Sequence, residues 1–247
     1  MVDLGVPEDY LQEQLAKLSL SDEFSLHFNP GKKMGISGTL ATVDLHADAK
    51  NSPPLRHLSD IVEIIDSAQY TEEIASTAQE IFRQIAVAEA KVHGTTPERI
   101  HFHEVGATDS IVDIVAAAIC VNYLELDAIY CGTVELGSGM VKCAHGLMPV
   151  PAPATSEILK NAPVSFGRVK GEATTPTGAA ILKSVVKEFS SPHDFLIHKI
   201  GYGIGQKDFE VPNVLRVILG ELVVNPACHY DEEEAIQIEC NVDDMSP

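Results

Sequence analysis

Runs of apolar residues divide the first half of the chain into alternating strand-like and helical segments. A first helix is predicted over 7–18, with Pro7 in a position that suits a helix start. Residues 24–28 and 38–46 read as two strands joined by Asn29-Pro30-Gly31-Lys32-Lys33, whose Pro-Gly step favours the turn of an antiparallel hairpin. A polar, proline-containing loop over 48–54 follows, flanked by His46 and His57. Apolar residues then recur at helical spacing, first at Ile61, Ile64 and Ile65 and then at Ile74, Ala78, Ile81, Ile85 and Ala88. That period predicts two amphipathic helices, over 58–68 and 71–93.

From 111 to 124 the pattern changes. Ile111, Val112, Ile114, Val115, Ile119, Val121 and Leu124 leave almost no polar side, as in a buried helix, and Asp113 is the only charge between Ile111 and Leu124. Strands are predicted over 128–136, 164–169, 195–200 and 215–224, with a glycine-rich loop over 137–146. Two more helices are expected, a short one over 154–160 opened by Pro153 and one running from Thr175 and Pro176 through Phe189. Gly201-Tyr202-Gly203-Ile204-Gly205 splits the last two strands. Gln206 stands where a dinucleotide fingerprint needs its third glycine and no long helix follows, so the nicotinamide reading is rejected. The expected class is α/β (mixed α+β): a mixed sheet with packed helices over 1–225, an acidic linker over 226–234, and over 235–247 the first strand of a truncated second, carboxy-terminal domain.

Composition narrows the function classes. With 17 basic against 36 acidic residues and a net charge of −19, the composition argues against a nucleic-acid partner, which needs a clustered positive surface. Its five cysteines form no Cys-x-x-Cys pair and are odd in number, which suits a reducing cytoplasm. No signal peptide is expected from the opening residues, and the longest apolar stretch falls short of the roughly 20 residues that span a membrane.

Candidate chemistry concentrates at 101–113, His-Phe-His-Glu-Val-Gly-Ala-Thr-Asp-Ser-Ile-Val-Asp. If this segment starts extended, His101 and His103 share a face and can grip one ion. Asp109 and Asp113, four apart, share a helical face, and Asp109 also suits a cap. A buried lone carboxylate such as Asp113 normally has hydrogen bonds, a cation or a metal. The same spacing equally fits a capped helix with Asp113 tied to a loop and backbone-satisfied histidines. Farther on, Thr174-Thr175-Pro176-Thr177-Gly178 opens a helix whose free amides and hydroxyls suit an anion, or ordinary capping.

The 101–113 segment resembles the LarC family of nickel insertases, together with Gly146-Leu147-Met148-Pro149-Val150-Pro151-Ala152-Pro153-Ala154-Thr155, Gly171-Glu172-Ala173-Thr174-Thr175-Pro176-Thr177-Gly178-Ala179-Ala180, Gly201-Tyr202-Gly203 and Pro212-Asn213-Val214-Leu215-Arg216. The resemblance implies nickel insertion into a dithiocarboxylated pyridinium mononucleotide, with metal–sulfur and metal–carbon bonds formed and CTP, carrying a divalent cation, hydrolysed. It implies a metal site of His101, His103 and Asp113 with Glu104 or Asp109 nearby. Thr174, Thr175 and Thr177 would receive the phosphate, and His145 and Glu172 would handle protons. Relative to the family the chain is expected to be incomplete at both ends and to hold no histidine over 47–56. It is therefore expected to work with a separate carboxy-terminal subunit, in a homo-oligomer. Two other readings share these residues: a metal-dependent hydrolase that activates a metal-bound water, and a non-catalytic nickel carrier or scaffold.

Overall fold

The structure is a computed structural model that describes residues 1–47, 55–102, 105–143, 146–192 and 194–223, with the backbone of a strand at Glu234–Glu239. His103, Glu104 and His145 lie outside the described residues. A two-layer α/β arrangement results, a mixed sheet with helices packed on it, as expected from the alternating patterns.

Strands β1 (Phe24–Lys33) and β2 (Ile36–Leu45) form the antiparallel hairpin. Its turn is not at Pro30-Gly31. Pro30 pairs with Thr39 inside the strand, and the chain reverses at Met34 and Gly35, whose φ values of 44° and 94° suit a two-residue turn of the primed kind. The proline is tolerated because β1 is the sheet edge, where its missing N–H costs no ladder bond. Methionine in a left-handed conformation carries no turn signal, so the sequence pattern misplaced the reversal.

The helical layer comprises α1 (Glu8–Leu15), α2 (Leu58–Ser67), α3 (Glu72–His93), α4 (Thr108–Tyr123), α5 (Pro153–Ile158) and α6 (Pro176–Val185). The 22-residue α3 touches α2, α4, α5 and α6, while α4 packs on α1 and β2. Their shared core is the stripe that the period predicts, with Ile61, Ile65, Ile81, Phe82, Ile85, Ile111, Ile114 and Ile119 all fully buried.

Strand β3 (Ala128–Cys131) is followed by short strands that fold the glycine-rich region into a wall: β4 (Val134–Glu135), β5 (Gly137–Ser138), β6 (Met140–Cys143), β7 (Gly146–Pro149), β8 (Val164–Ser165) and β9 (Gly171–Glu172). Then come β10 (Phe195–Ile204), β11 (Val214–Leu222) and β12 (Glu234–Glu239), and the main sheet runs β1-β2-β10-β11-β12-β3. Parallel pairings, β2 with β10 and β12 with β3, join antiparallel ones. The glycines at 201–203 do not interrupt β10. A Cβ on Gly201 would sit 2.8 Å from Leu4 Cγ, so glycine here admits the amino-terminal turn against the strand. At 234–239 the chain forms an inner strand of this same sheet, between β11 and β3, where the sequence reading had begun a further domain.

Candidate functional site

A cavity of about 920 Å³ opens between the β1–β2 hairpin, α4, the end of α3, the β6–β7 hairpin and the start of α6. That volume is in the range of pockets that hold a small organic ligand. All five stretches that carry the resemblance reach it, through His101 and Asp113, Met148 and Pro153, Glu172 and Thr175, Tyr202, and Leu215.

One wall comes from α4, where Ser110, Asp113, Ala117 and Cys120 share the cavity face at spacings of three and four. Small alanines at 116 and 117 line the cavity there, so the all-round apolar pattern marks a helix against a void rather than one sealed in the core. Asp113 is accordingly exposed, not buried: it opens into the cavity. Among the described residues no hydrogen-bond donor reaches its carboxylate. Desolvation by the enclosing atoms, helped by the charge of Asp109, pushes its pKa from 3.8 up to about 6. Asp109 itself does not line the cavity and does not cap. Ala107 is the N-cap without a side-chain bond, and Asp109 Oδ1 accepts from the Ser110 N–H at 2.8 Å. The helix start is held instead by buried Arg56, which donates to the Gly106 carbonyl at 2.7 Å, and by Thr108, which donates to Glu23 Oε2 at 2.5 Å.

His101 is exposed at the cavity mouth, with its ring 3.9 Å from that of His57. Among the described residues no group of three or more His, Cys, Asp or Glu side chains is spaced to hold a metal ion. His101 and Asp113 are therefore the parts of the proposed set that share the cavity.

Another part of the cavity wall is the amino-terminal end of α6. Thr175 caps it, its hydroxyl accepting from the Gly178 N–H at 3.2 Å, and Thr175, Thr177 and Gly178 face the cavity. Thr174 does not join them. It is buried and its hydroxyl donates to the Glu135 carbonyl at 2.7 Å, so it fastens the loop. Glu172 lines the cavity with Lys207, whose Nζ is 3.4 Å from Glu172 Oε2. The Lys207 carbonyl is itself held by Asn213 Nδ2 at 2.9 Å and Lys33 Nζ at 3.3 Å.

Behind this wall stands Glu135, only 2% exposed. Its carboxylate accepts from the Gly137 and Arg168 N–H groups, both at 3.0 Å, and from the Ser165 hydroxyl at 2.6 Å. Gly137, with φ 86°, lets the loop pass so close that a Cβ would meet the Gly171 carbonyl oxygen at 1.9 Å. The sequence reading missed Glu135 because nothing local marks a buried organiser. It also missed Lys207, which a loop between strands brings in, and the pair Glu89 and His93, 3.3 Å apart on the cavity side of α3. The i,i+4 spacing of that last pair was a visible signal. Cys143, half-buried on β6, is a further cavity-lining group that was left unassigned.

Residues 1–247 match the family model described as nickel insertion protein. The chain is similar to the pyridinium-3,5-bisthiocarboxylic acid mononucleotide nickel insertion protein of Clostridium kluyveri, 49% identical over 255 residues, covering 100% of this chain and 63% of that one. The protein of the same name from Clostridium acetobutylicum is 47% identical over 276 residues, covering 100% and 65%. One of that name from Staphylococcus epidermidis is 42% identical over 248 residues, covering 100% and 60%. This chain thus spans less than two thirds of the length of each of these relatives. No solved structure matches it. From its first residue to its last, the chain belongs to the nickel insertion protein family.

Proposed function

We propose that this chain carries out the nickel- and nucleotide-handling part of nickel insertion into pyridinium-3,5-bisthiocarboxylic acid mononucleotide. The observation that carries the reading is one cavity lined both by an imidazole and a carboxylate, His101 and Asp113, and by hydroxyls with a lysine, Thr175, Thr177 and Lys207. Nickel accepts imidazole and carboxylate ligands. A phosphate monoester is suited by free amides at a helix start, by hydroxyl donors and by a nearby ammonium. In a chain of net charge −19 such a local cation matters, because the long-range field repels an anionic nucleotide.

In this reading nickel, as a substrate, is taken up at His101 and Asp113, with His103 and Glu104 as further members of the proposed set, while Asp109, which does not line the cavity, acts only through its charge. The mononucleotide binds with its phosphate toward α6. Bond formation to the thiocarboxylate sulfurs and to the pyridinium carbon releases that carbon's proton. Glu172, His145 and the Glu89–His93 pair are the proposed acceptors, and Glu172, Glu89 and His93 line the cavity. CTP and its divalent cation are assigned to the part of the relatives that this chain does not span, supplied by a separate subunit. The setting is a reducing cytoplasm, and the assembly a homo-oligomer. No helix among the described residues is long and apolar enough to cross a membrane.

Binding of the mononucleotide by calorimetry, with and without Thr175→Ala plus Thr177→Ala, tests the reading. The double variant is expected to lose about tenfold or more in affinity, a loss of about 1.4 kcal/mol. Equal binding would remove the assigned phosphate position. The carrier reading gains only if the chain binds nickel and no mononucleotide at all.

A further inference from the structure

Arg56 and Phe102 form an isolated antiparallel bridge, closed by the Phe102 N–H donating to the Arg56 carbonyl at 3.1 Å. Both side chains are buried, at 7% and 3% exposure. Alternation along extended backbone then sends the adjoining residues, His57 and His101, to the other, accessible side. Antiparallel pairing also sets those two residues opposite each other. Their rings are accordingly 3.9 Å apart, inclined at 45°.

His57 is anchored through one ring nitrogen. Its Nδ1 is 2.9 Å from the Ile100 carbonyl oxygen, which can only accept, so Nδ1 is the donor in this bond and Nε2 is the ring nitrogen left for a metal. Its backbone N–H donates to Asp60 Oδ2 at 2.7 Å at the start of α2. A ring fixed through one nitrogen by a backbone carbonyl, with the other nitrogen open, is how metal-ligating histidines are prepared.

The geometry points to His57 as a nickel-binding residue that shares one ion with His101. This rests on reading the cavity as a nickel-handling site. With metal–nitrogen bonds of about 2.1 Å, each ring centre stands ~3.2 Å from the ion, and two rings at right angles around it have centres ~4.5 Å apart. The observed separation is slightly shorter, and a small outward swing of the exposed His101 makes up the difference. His57, tied at both ends, is the stiff member. Two neutral imidazoles leave the remaining positions open to water, a carboxylate or substrate sulfur, which suits a site that must give up its ion.

Nickel alone, titrated into the 247-residue chain and its variants, tests this. His57→Asn removes the imidazole while asparagine remains a favoured N-cap, so α2 keeps its start, and an unchanged unfolding midpoint verifies the fold. Both His57→Asn and His101→Ala are expected to weaken nickel binding by about tenfold or more. Their double variant should lose less than the product of the two, because they serve one ion. X-ray absorption of the wild-type nickel complex should count one more imidazole than that of His57→Asn. A folded His57→Asn chain with wild-type affinity and imidazole count overturns the inference, while weakened binding by His101→Ala alone leaves the cavity reading standing. Failure of the wild-type chain to bind nickel overturns both.

Discussion

Two carboxylates stand within this fold in opposite circumstances. Glu135 is 2% exposed and accepts three hydrogen bonds, while Asp113 opens into the cavity and, among the described residues, receives none. A buried charge without donors is costly, so a fold that encloses one supplies them, as around Glu135. Asp113 instead faces the cavity without a donor among the described residues, and desolvation with the charge of Asp109 raises its pKa to about 6. The first arrangement builds the wall that carries Glu172 and Thr175. The second, in the proposed reading, is a metal ligand on α4. The two carboxylates thus differ both in depth and in how many of their lone pairs the described residues use.

Removing Glu135 should give the largest effect on stability. Glu135→Ala leaves the Gly137 and Arg168 amides and the Ser165 hydroxyl without their acceptor, and a loss of about 3 kcal/mol is expected in chemical denaturation, with the β5–β9 wall loosened. A loss under about 1 kcal/mol would mean that the wall does not depend on this carboxylate. Next come the neighbouring threonines, which sharpen the contrast between fastening and binding. Thr174→Val should cost about 1 kcal/mol through its lost bond to the Glu135 carbonyl and leave phosphate affinity unchanged. Thr175→Ala should cost a similar amount as a lost cap and should also weaken mononucleotide binding. Calorimetry with thermal denaturation separates the two.

The smallest expected effect on stability belongs to Asp113. Its folded pKa lies above its unfolded value, so the folded state holds the proton more tightly. Its contribution is fully present below about pH 4 and is lost as pH rises through 6. Asp113→Asn should therefore flatten the fall in stability between pH 4 and 6 and leave the chain as stable as wild type, or slightly more so, at pH 7. Parallel pH–stability profiles of the two proteins would contradict this.

Much of this arrangement was legible in the order of residues. Periods of three and four at Ile74, Ala78, Ile81 and Ile85 locate α3 and its buried stripe, because burial against other helices needs one continuous face. The clustering at 101–113 pointed to the cavity wall. Asp113 was read as buried because Ala116 and Ala117 look apolar in sequence, whereas in space they border a void. Thr174 and Thr175 are indistinguishable by type. Only the closeness of the Glu135 carbonyl decides which hydroxyl is spent on the fold. Lys207 and Glu172 are 35 residues apart, and such a contact has no local pattern. Likewise, that His57 faces His101 follows from the pairing of Arg56 with Phe102, and pairing between distant segments is a tertiary fact.

The central claim is that the carboxylate of Asp113 and the imidazole of His101 serve nickel. Nickel titration of Asp113→Asn against wild type at pH 7, on proteins shown by thermal denaturation to be equally folded, tests it most directly. The account predicts a loss of about tenfold or more in nickel affinity at little or no cost in stability. Undiminished nickel affinity in Asp113→Asn would contradict it.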